Sequence, residues 1–324
     1  MMNGMQRRAW SAVVAGSMLA MVACGSGGST KTADLLTPDQ ATAAALAHLQ
    51  KPTLSAALKD DTGSLRAYDQ ANLTLNPLPS PEPTIDPSIT HHVTVWVAHQ
   101  SSYPLSFLCL DSPTVPGGQA LPTMFFFTKA AAASSWTVTY QVVLTAMANA
   151  PDVAIDSGGY AQVIPANRYS ALLASPAQLG GDYSAYITAG NSADTHEFAP
   201  GPLTSQTIDA NNQNIRGRAQ QRGETETVSY VPSGDPVVAY LLNDGGALVL
   251  VGLRASAHLV ATKAPITVSM DGKGISGPAP GKYHDITFER VVMNAFVDPP
   301  KNSTDRVAGI GANGGPIRST GTPA

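Results

Sequence analysis

The sequence predicts an α+β protein of two tandem modules, each with an N-terminal helix or helices packed on an antiparallel sheet of about four strands. Three observations lead to this prediction. An alanine-rich run near residue 40 has helical character, and alternating apolar runs from residue 93 onward have strand character. The same order, helix and then strands, is predicted again after residue 150. A mainly-β sandwich is the alternative.

The first segment, residues 1–23, has the layout of a secretory signal. Arg7 and Arg8 precede an uncharged apolar run that ends just before Cys24. This run is shorter than the ~20 apolar residues that a membrane-spanning helix requires. We therefore expect residues 1–23 to be removed as a signal peptide.

The ending MVAC, with its cysteine at Cys24, resembles the bacterial lipoprotein signal, in which that cysteine carries a diacylglyceryl group. The pattern most often has Leu where this chain has Met21. Residues 24–34 contain the run GSGGSTKT, which is typical of a flexible tether. The resemblance implies an extracytoplasmic protein that is lipid-anchored at Cys24 to the outer face of the cell membrane. The alternative is an ordinary secretory signal that leaves Cys24 as a free thiol.

Composition excludes some partners and cross-links. The chain has 19 Lys and Arg residues against 23 Asp and Glu residues. Removal of the signal would also remove Arg7 and Arg8, so the mature chain would be more acidic. Because its basic residues are scattered singly, nucleic acid is not expected as a partner. Cys109 is the second of two cysteines, so a lipidated Cys24 would leave it without a disulfide partner. Its apolar run, SFLCLD, favours a buried thiol over a catalytic one.

The first module is predicted to span residues 35–150. Thr37 is a suitable N-cap and Pro38 a suitable first residue for a helix that continues to Leu49. A weaker helical pattern covers residues 65–71, and a proline-rich connection follows it. Four strands are then predicted in the runs HHVTVWVAH, PLSFLCLDS, LPTMFFFTKA and SWTVTYQVVL.

The second module is predicted to span residues 151–298, and residues 299–324 are predicted to be a mobile tail because they offer little to bury. Helices are expected in ASPAQLGGDYSAYITAG and in SQTIDANNQNIRGRAQQRG. Strands are expected in ETVSYVPSG, DPVVAYLLND, GALVLVGLRASAHLV and HDITFERVVMNAFV. Matching these strands to those of the first half suggests a duplication, and chance similarity of strand patterns is the alternative.

Two resemblances support this organisation. A helix across a four-stranded antiparallel sheet is similar to the cystatin and NTF2-like folds, in which a terminal strand often carries a run such as Trp136-Thr137-Val138. The runs HQSSYPLSF, SSWTVTYQVVL, DSGGYAQV and DGGALVLVGL also resemble a group of secreted actinobacterial lipoproteins of uncharacterised function. This second resemblance covers most of the mature chain, and it implies an anchor and an architecture but no activity.

The histidines are the candidates for metal ligands and catalytic groups. His91, His92 and His99 are the best metal candidates, but His91 and His99 would lie about 26 Å apart on an extended strand. We therefore expect no metal and no cofactor. His196 beside Glu197 and His284 beside Asp285 are possible acid and base pairs, yet neighbours on a strand point to opposite faces. His48 and His258 are isolated in the sequence.

The aromatic residues leave one binding role open. Phe125, Phe126, Phe127 and Trp136 could line a concave pocket, although core packing is the default expectation for them. No hydrolase elbow, Walker loop or dinucleotide-binding fingerprint is present in the sequence. We therefore expect a non-catalytic binding module of the cell envelope, with a small apolar ligand or an envelope protein as its partner. An envelope hydrolase or isomerase with a site in a concave sheet pocket is the alternative.

Overall fold

The computed structural model describes most of the chain after the predicted signal and tether. It covers residues 34–75, 80, 82, 84, 86, 88–145, 150–165, 170–190, 197–210, 217–268 and 280–324. Of the residues that the structure describes, 43% lie in strands and 22% in helices, so this part of the protein is mainly β. Cys24 lies outside the described residues, as do the signal and all but the last residue of the tether.

Helices precede the strands in each half of the chain. The helices are α1 Pro38–Leu49, α2 Leu54–Leu58, α3 Gly63–Leu75, α4 Pro176–Ala189, α5 Ser205–Ala210 and α6 Gly217–Arg222. The strands of the first half are β1 Val93–Val97, β2 Leu105–Asp111, β3 Thr114–Val115, β4 Gly118–Gln119, β5 Thr123–Lys129 and β6 Thr137–Leu144. Those of the second half are β7 Glu224–Pro232, β8 Val238–Leu241, β9 Ala247–Ala261, β10 Ile266–Val268, β11 Gly281–Asp298 and β12 Ala308–Pro323.

Local sequence signals locate most of these elements correctly. The predicted N-cap of α1 is confirmed, because the Thr37 hydroxyl accepts a hydrogen bond from the Gln40 N–H and the Gln40 side chain bonds back to the Thr37 N–H. The four apolar runs predicted as strands in the first half become β1, β2, β5 and β6. Ser175 and Pro176 lie at the start of the predicted helical run ASPAQLGGDYSAYITAG, and they are the N-cap and the first residue of α4.

The predicted fold class is nevertheless wrong. The main sheet is a single antiparallel sheet of ten strands in the order β1-β2-β5-β6-β12-β11-β9-β7, to which β10 and β8 add at β11 and β9. It is continuous through both halves, so the chain does not form two cystatin-like or NTF2-like modules. The strand-by-strand matching suggested for a duplication does not follow the pairings, because β8 lies off the main path. Each half nevertheless contributes four successive neighbours to the sheet, β1-β2-β5-β6 and β7-β9-β11-β12. The mainly-β alternative is closer to the structure.

The strand β9 explains why the sheet buries both of its faces. Leu248 and Leu250 belong to a hydrophobic cluster shared with α1 and the first-half strands, whereas Val249 and Val251 belong to a second cluster beneath α4. Successive residues of a strand point to opposite faces, so β9 separates the two clusters. Its unbroken apolar run, ALVLVGL, is the pattern of a strand that is buried on both sides.

The predicted mobile tail is also wrong, because residues 308–323 form β12. This strand pairs with β11 along most of its length and with β6 through Gly311 and Ala312, so it joins the two halves of the sheet. A Cβ at Gly311 would lie only 2.8 Å from the Val143 carbonyl oxygen. Glycine therefore permits the close approach of the backbones, and the resulting sequence lacks the apolar alternation by which strands are recognised.

A long-range cap fixes α3 against the second half. Asp235, in the turn between β7 and β8, accepts hydrogen bonds from the backbone N–H and the hydroxyl of Ser64 at the start of α3, and from the Ser233 hydroxyl. A carboxylate at this position satisfies free N–H groups and interacts favourably with the positive end of the helix. Since Asp235 lies close to Gly252 of β9 and α4 packs near Val251, α3 and α4 cover opposite faces of the sheet.

Candidate functional site

An exposed polar surface lies across four neighbouring strands of the main sheet. It consists of twelve side chains in three rows across β7, β9, β11 and β12, and we call it the polar face. The rows are Thr225-Val260-Asp285-Thr322, Thr227-His258-Thr287-Thr320 and Ser229-Ser256-Glu289-Arg318. All twelve are at least partly exposed, and eleven are polar.

The local sequence gives these strands one polar face and one more buried face. In β7 the run ETETVSY places Thr225, Thr227 and Ser229 outward, while Val228 on the other face is buried. In β11 the run HDITFER places Asp285, Thr287 and Glu289 on the polar face, while Ile286 is buried. The alternation is that of a sheet with one solvated face. Because Gly252 and His258 are separated by an even number of residues on β9, the polar face lies on the α3 side of the sheet.

The polar face carries charges of both signs. His258 lies beside Asp285 on the neighbouring strand, with 3.7 Å between Nε2 and Oδ1. Glu289 lies opposite Arg318 on β12. His284 and Asp285 are neighbours on one strand and point to opposite faces, as expected, and the cross-strand residue His258 lies beside Asp285 instead. His196, of the other suggested pair, lies outside the described residues.

The histidines predicted as a possible metal site do not converge. The Asp111 carboxylate contacts His91 Nδ1 at 2.7 Å, and the Thr114 hydroxyl contacts His92 Nε2 at 3.2 Å. Within the described ranges, no group of three or more His, Cys, Asp or Glu side chains is arranged to hold a metal ion.

His99 bridges two carboxylates at the start of the described chain. Its Nδ1 lies 2.7 Å from Asp34 Oδ2, its Nε2 lies 2.8 Å from Asp156 Oδ2, and its ring stacks on Tyr160. A carboxylate only accepts hydrogen bonds, so both contacts require N–H groups and hence the imidazolium. The hydrogen bond to Asp34, and then that to Asp156, raises the pKa of His99.

This geometry predicts a proton-dependent contact. We expect NMR titration to give His99 a pKa above the ordinary value of about 6.5, and Asp34→Asn and Asp156→Asn each to lower it. Because the folded-state pKa is raised, the contribution of the bridge to stability is present below the unfolded-state pKa and is lost as the pH rises through the folded-state value. A His99 pKa at or below 6.5 in the unsubstituted protein would contradict the assignment.

A second group of titratable side chains lies near α4. Asp298 is fully buried, its Oδ1 accepts a hydrogen bond from the Ala174 N–H at 3.1 Å, and its Oδ2 is a buried atom without a hydrogen-bond partner. Burial, reinforced by the charge of Glu197, raises the pKa of Asp298 to about 7. The pKa of Glu197 is raised by burial and by Asp182, and that of Asp182 by burial.

The described surface also has two shallow grooves. One has a volume of about 460 Å³ and is lined by Pro104, Thr128, Ala130, Ser134, Ser135 and Thr137. The other, of about 210 Å³, lies among residues 199–204 and 308–310. Neither contains a charged side chain in its lining.

The remaining predicted side chains lie in the core or against it. Phe125, Phe126 and Phe127 are each no more than 6% exposed, which is the core packing expected by default. Trp136 is only partly buried and packs edge-on against Phe107. Cys109 is fully buried, and this burial strongly raises the pKa of its thiol. A thiol in this state is a poor nucleophile.

His48 and the polar face are features that the sequence analysis did not anticipate. His48 is a buried residue whose Nδ1 lies 3.4 Å from Asp60 Oδ2, and its ring contacts Phe125 and Phe127. Nothing near it in sequence indicates this partner. The polar face is visible in the sequence only as a pattern, because Thr and Ser alternate with other residues in ETETVS and RSTGT. Only the strand pairing shows that these residues lie side by side on one surface.

Comparisons with known proteins give a family without an activity. A family model described as a domain of unknown function, DUF8094, matches residues 55–313. No curated protein and no solved structure gives a significant match. In the part of the chain that the structure describes, no helix is both long and apolar enough to cross a membrane.

Proposed function

Since the chain belongs to the DUF8094 family, whose activity is unknown, we propose from its own residues that it is a lipid-anchored binding module of the cell envelope. In this proposal Cys24 carries the lipid, the signal is removed, and the folded part lies on the outer side of the cell membrane. The partner is bound without catalysis. The polar face is the observation that carries the binding role.

The anchor is supported by the position of Cys24. This cysteine ends an apolar run that is preceded by two arginines and followed by a Gly/Ser-rich segment. Each buried lipid CH₂ contributes roughly 0.8 kcal/mol, and stable anchoring takes two signals such as two acyl chains. A diacylglyceryl group at Cys24 would therefore hold the folded part at the membrane surface.

The binding role is supported by the rigidity and exposure of the polar face. Residues 247–260 of β9 pair without interruption with residues 285–298 of β11, so the backbone positions from which the side chains project are fixed before any partner arrives. Preorganised groups lose less conformational entropy on binding. The predicted small apolar partner has less support, because the large apolar side chains around Phe126 are buried in the core.

We expect intact-mass analysis of the full chain, recovered from its native membrane fraction, to give the mass of residues 24–324 plus a diacylglyceryl group. The Cys24→Ala variant removes the acceptor thiol, so we expect it to remain uncleaved or to be released without lipid. A Cys109→Ala variant is the matched control, and it should be lipidated like the natural chain. An unmodified mature protein in the medium would refute the anchor.

An envelope hydrolase is the second candidate function. It is favoured by the pKa of about 7 for Asp298, close to the operating pH that a general acid or base requires. Carboxyl groups with raised pKa values often mark catalytic sites, and structural burial has the same effect. Because Asp298 is fully buried, catalysis would also require a path for substrate to reach it, whereas the polar face is exposed already. We therefore rank binding first.

A further inference from the structure

We propose that the polar face binds a neutral, hydroxyl-rich polysaccharide of the cell envelope, an inference that rests on the binding role proposed above. Sugar hydroxyl groups both donate and accept hydrogen bonds, so they suit a surface on which donors and acceptors are mixed. The polar face provides five threonine and two serine hydroxyls, together with the guanidinium of Arg318, the imidazole of His258, and two carboxylates.

The size of the polar face favours a chain of sugars over a protein. Four strands spaced about 4.8 Å apart and three rows spaced about 6.8 Å apart cover roughly 14 Å by 14 Å, or about 200 Å². A stable protein interface buries about 800 Å² on each partner. A second copy of this chain or another folded protein would therefore need contacts far beyond the polar face, whereas a few sugar units would fit on it.

The charges favour a neutral ligand. Asp285 and Glu289 are offset in part by Arg318, and His258 lies beside Asp285. A strongly charged polymer of either sign would meet like charges on this surface, and like-charge contacts oppose association. Hydrogen bonds to sugar hydroxyls replace hydrogen bonds to water, so each one contributes little to binding on its own. Many copies of the protein anchored at one membrane can bind the same polymer, so their combined affinity is higher than that of a single copy.

The test is co-sedimentation of the lipidated full chain, in detergent, with insoluble protein-free cell-wall glycan prepared from the source cells. The double variant Thr227→Val and Thr287→Val removes two hydroxyls on either side of His258. Valine keeps the shape and the strand propensity of threonine, so the sheet should be retained. We expect this variant to bind the glycan about tenfold more weakly than the natural chain.

The matched control is Thr94→Val with Thr267→Val, which replaces two exposed strand threonines outside the polar face. It should bind like the natural chain, and thermal unfolding should show that both variants fold. Equal binding by both double variants would overturn the location of the site. No sedimentation of the natural chain would overturn the polysaccharide ligand, while the lipid at Cys24 would still be tested independently by mass. A dimer in solution that the polar-face variant abolishes would assign the surface to a second copy and overturn the proposal.

Discussion

Replacing Gly314 with alanine is expected to destabilise the protein by about 4 kcal/mol, because it combines backbone strain with overpacking. Gly314 lies in β12 with a φ of +152°, which side chains rarely tolerate. An added Cβ would collide with the Val291 carbonyl oxygen and would lie 2.8 Å from the Val292 Cα. Both obstacles are backbone atoms of β11, so they cannot move aside as a side chain could.

Urea unfolding, followed by circular dichroism, measures this loss as a change in the free energy of unfolding. Gly181→Ala is the matched control, because Gly181 lies within α4 and has nothing within 4 Å of an added Cβ. That change should be neutral or stabilising, since alanine favours the helix. Equal stabilities for the two variants would show that β12 does not pair with β11 as described.

Replacing Asp298 with asparagine is expected to stabilise the protein by about 4 kcal/mol at pH 8 and to change its stability little at pH 4. Burial raises the pKa of Asp298 to about 7 in the folded state, whereas an unfolded aspartate titrates near 3.9. The protonated form is thus favoured by folding. Its contribution is present below pH ~4 and is lost as the pH rises through 7. Asparagine mimics the neutral acid and keeps an oxygen for the Ala174 N–H.

Urea unfolding at pH 4, 6 and 8 provides the measurement, with the exposed Asp209→Asn in α5 as the control. The control should follow the pH dependence of the natural chain, whereas Asp298→Asn should flatten it. Loss of stability at pH 8 in Asp298→Asn would contradict the raised pKa. The same variant separates the two candidate functions: a hydrolase that uses Asp298 would release soluble fragments from cell-wall glycan only in the natural chain, whereas a binding module would release none in either.

Local structure was largely predictable from the sequence, since it depends on neighbouring residues. The Thr37 cap and Pro38 begin α1 as expected, and the four apolar runs of the first half form the expected strands. Long-range pairing was not predictable in the same way. The glycines of β12 remove the alternation that marks a strand, and the insertion of β12 between β6 and β11 is what converts two expected sheets into one.

The sequence indicates which residue types form the candidate site but not how they are arranged. Alternating Thr and Ser residues in β7 indicate one solvated face, but the polar face exists because Thr227, His258, Thr287 and Thr320 share a row on four strands. Adjacency in sequence does not bring His284 to Asp285, and the histidine beside that carboxylate is His258 on the neighbouring strand. The buried carboxyl of Asp298 leaves no mark in the sequence, because its pKa depends on packing around α4.

The position of β12 also governs the order in which the protein can assemble. This strand follows the other strands of the sheet in sequence, yet it lies between β6 and β11. The two parts of the sheet can therefore pair with each other only after residues 308–323 have been synthesised. If the chain is exported N-terminus first through a membrane channel, residues 308–323 cross after the other strands of the sheet. The two parts of the sheet are then joined only on the far side of that membrane.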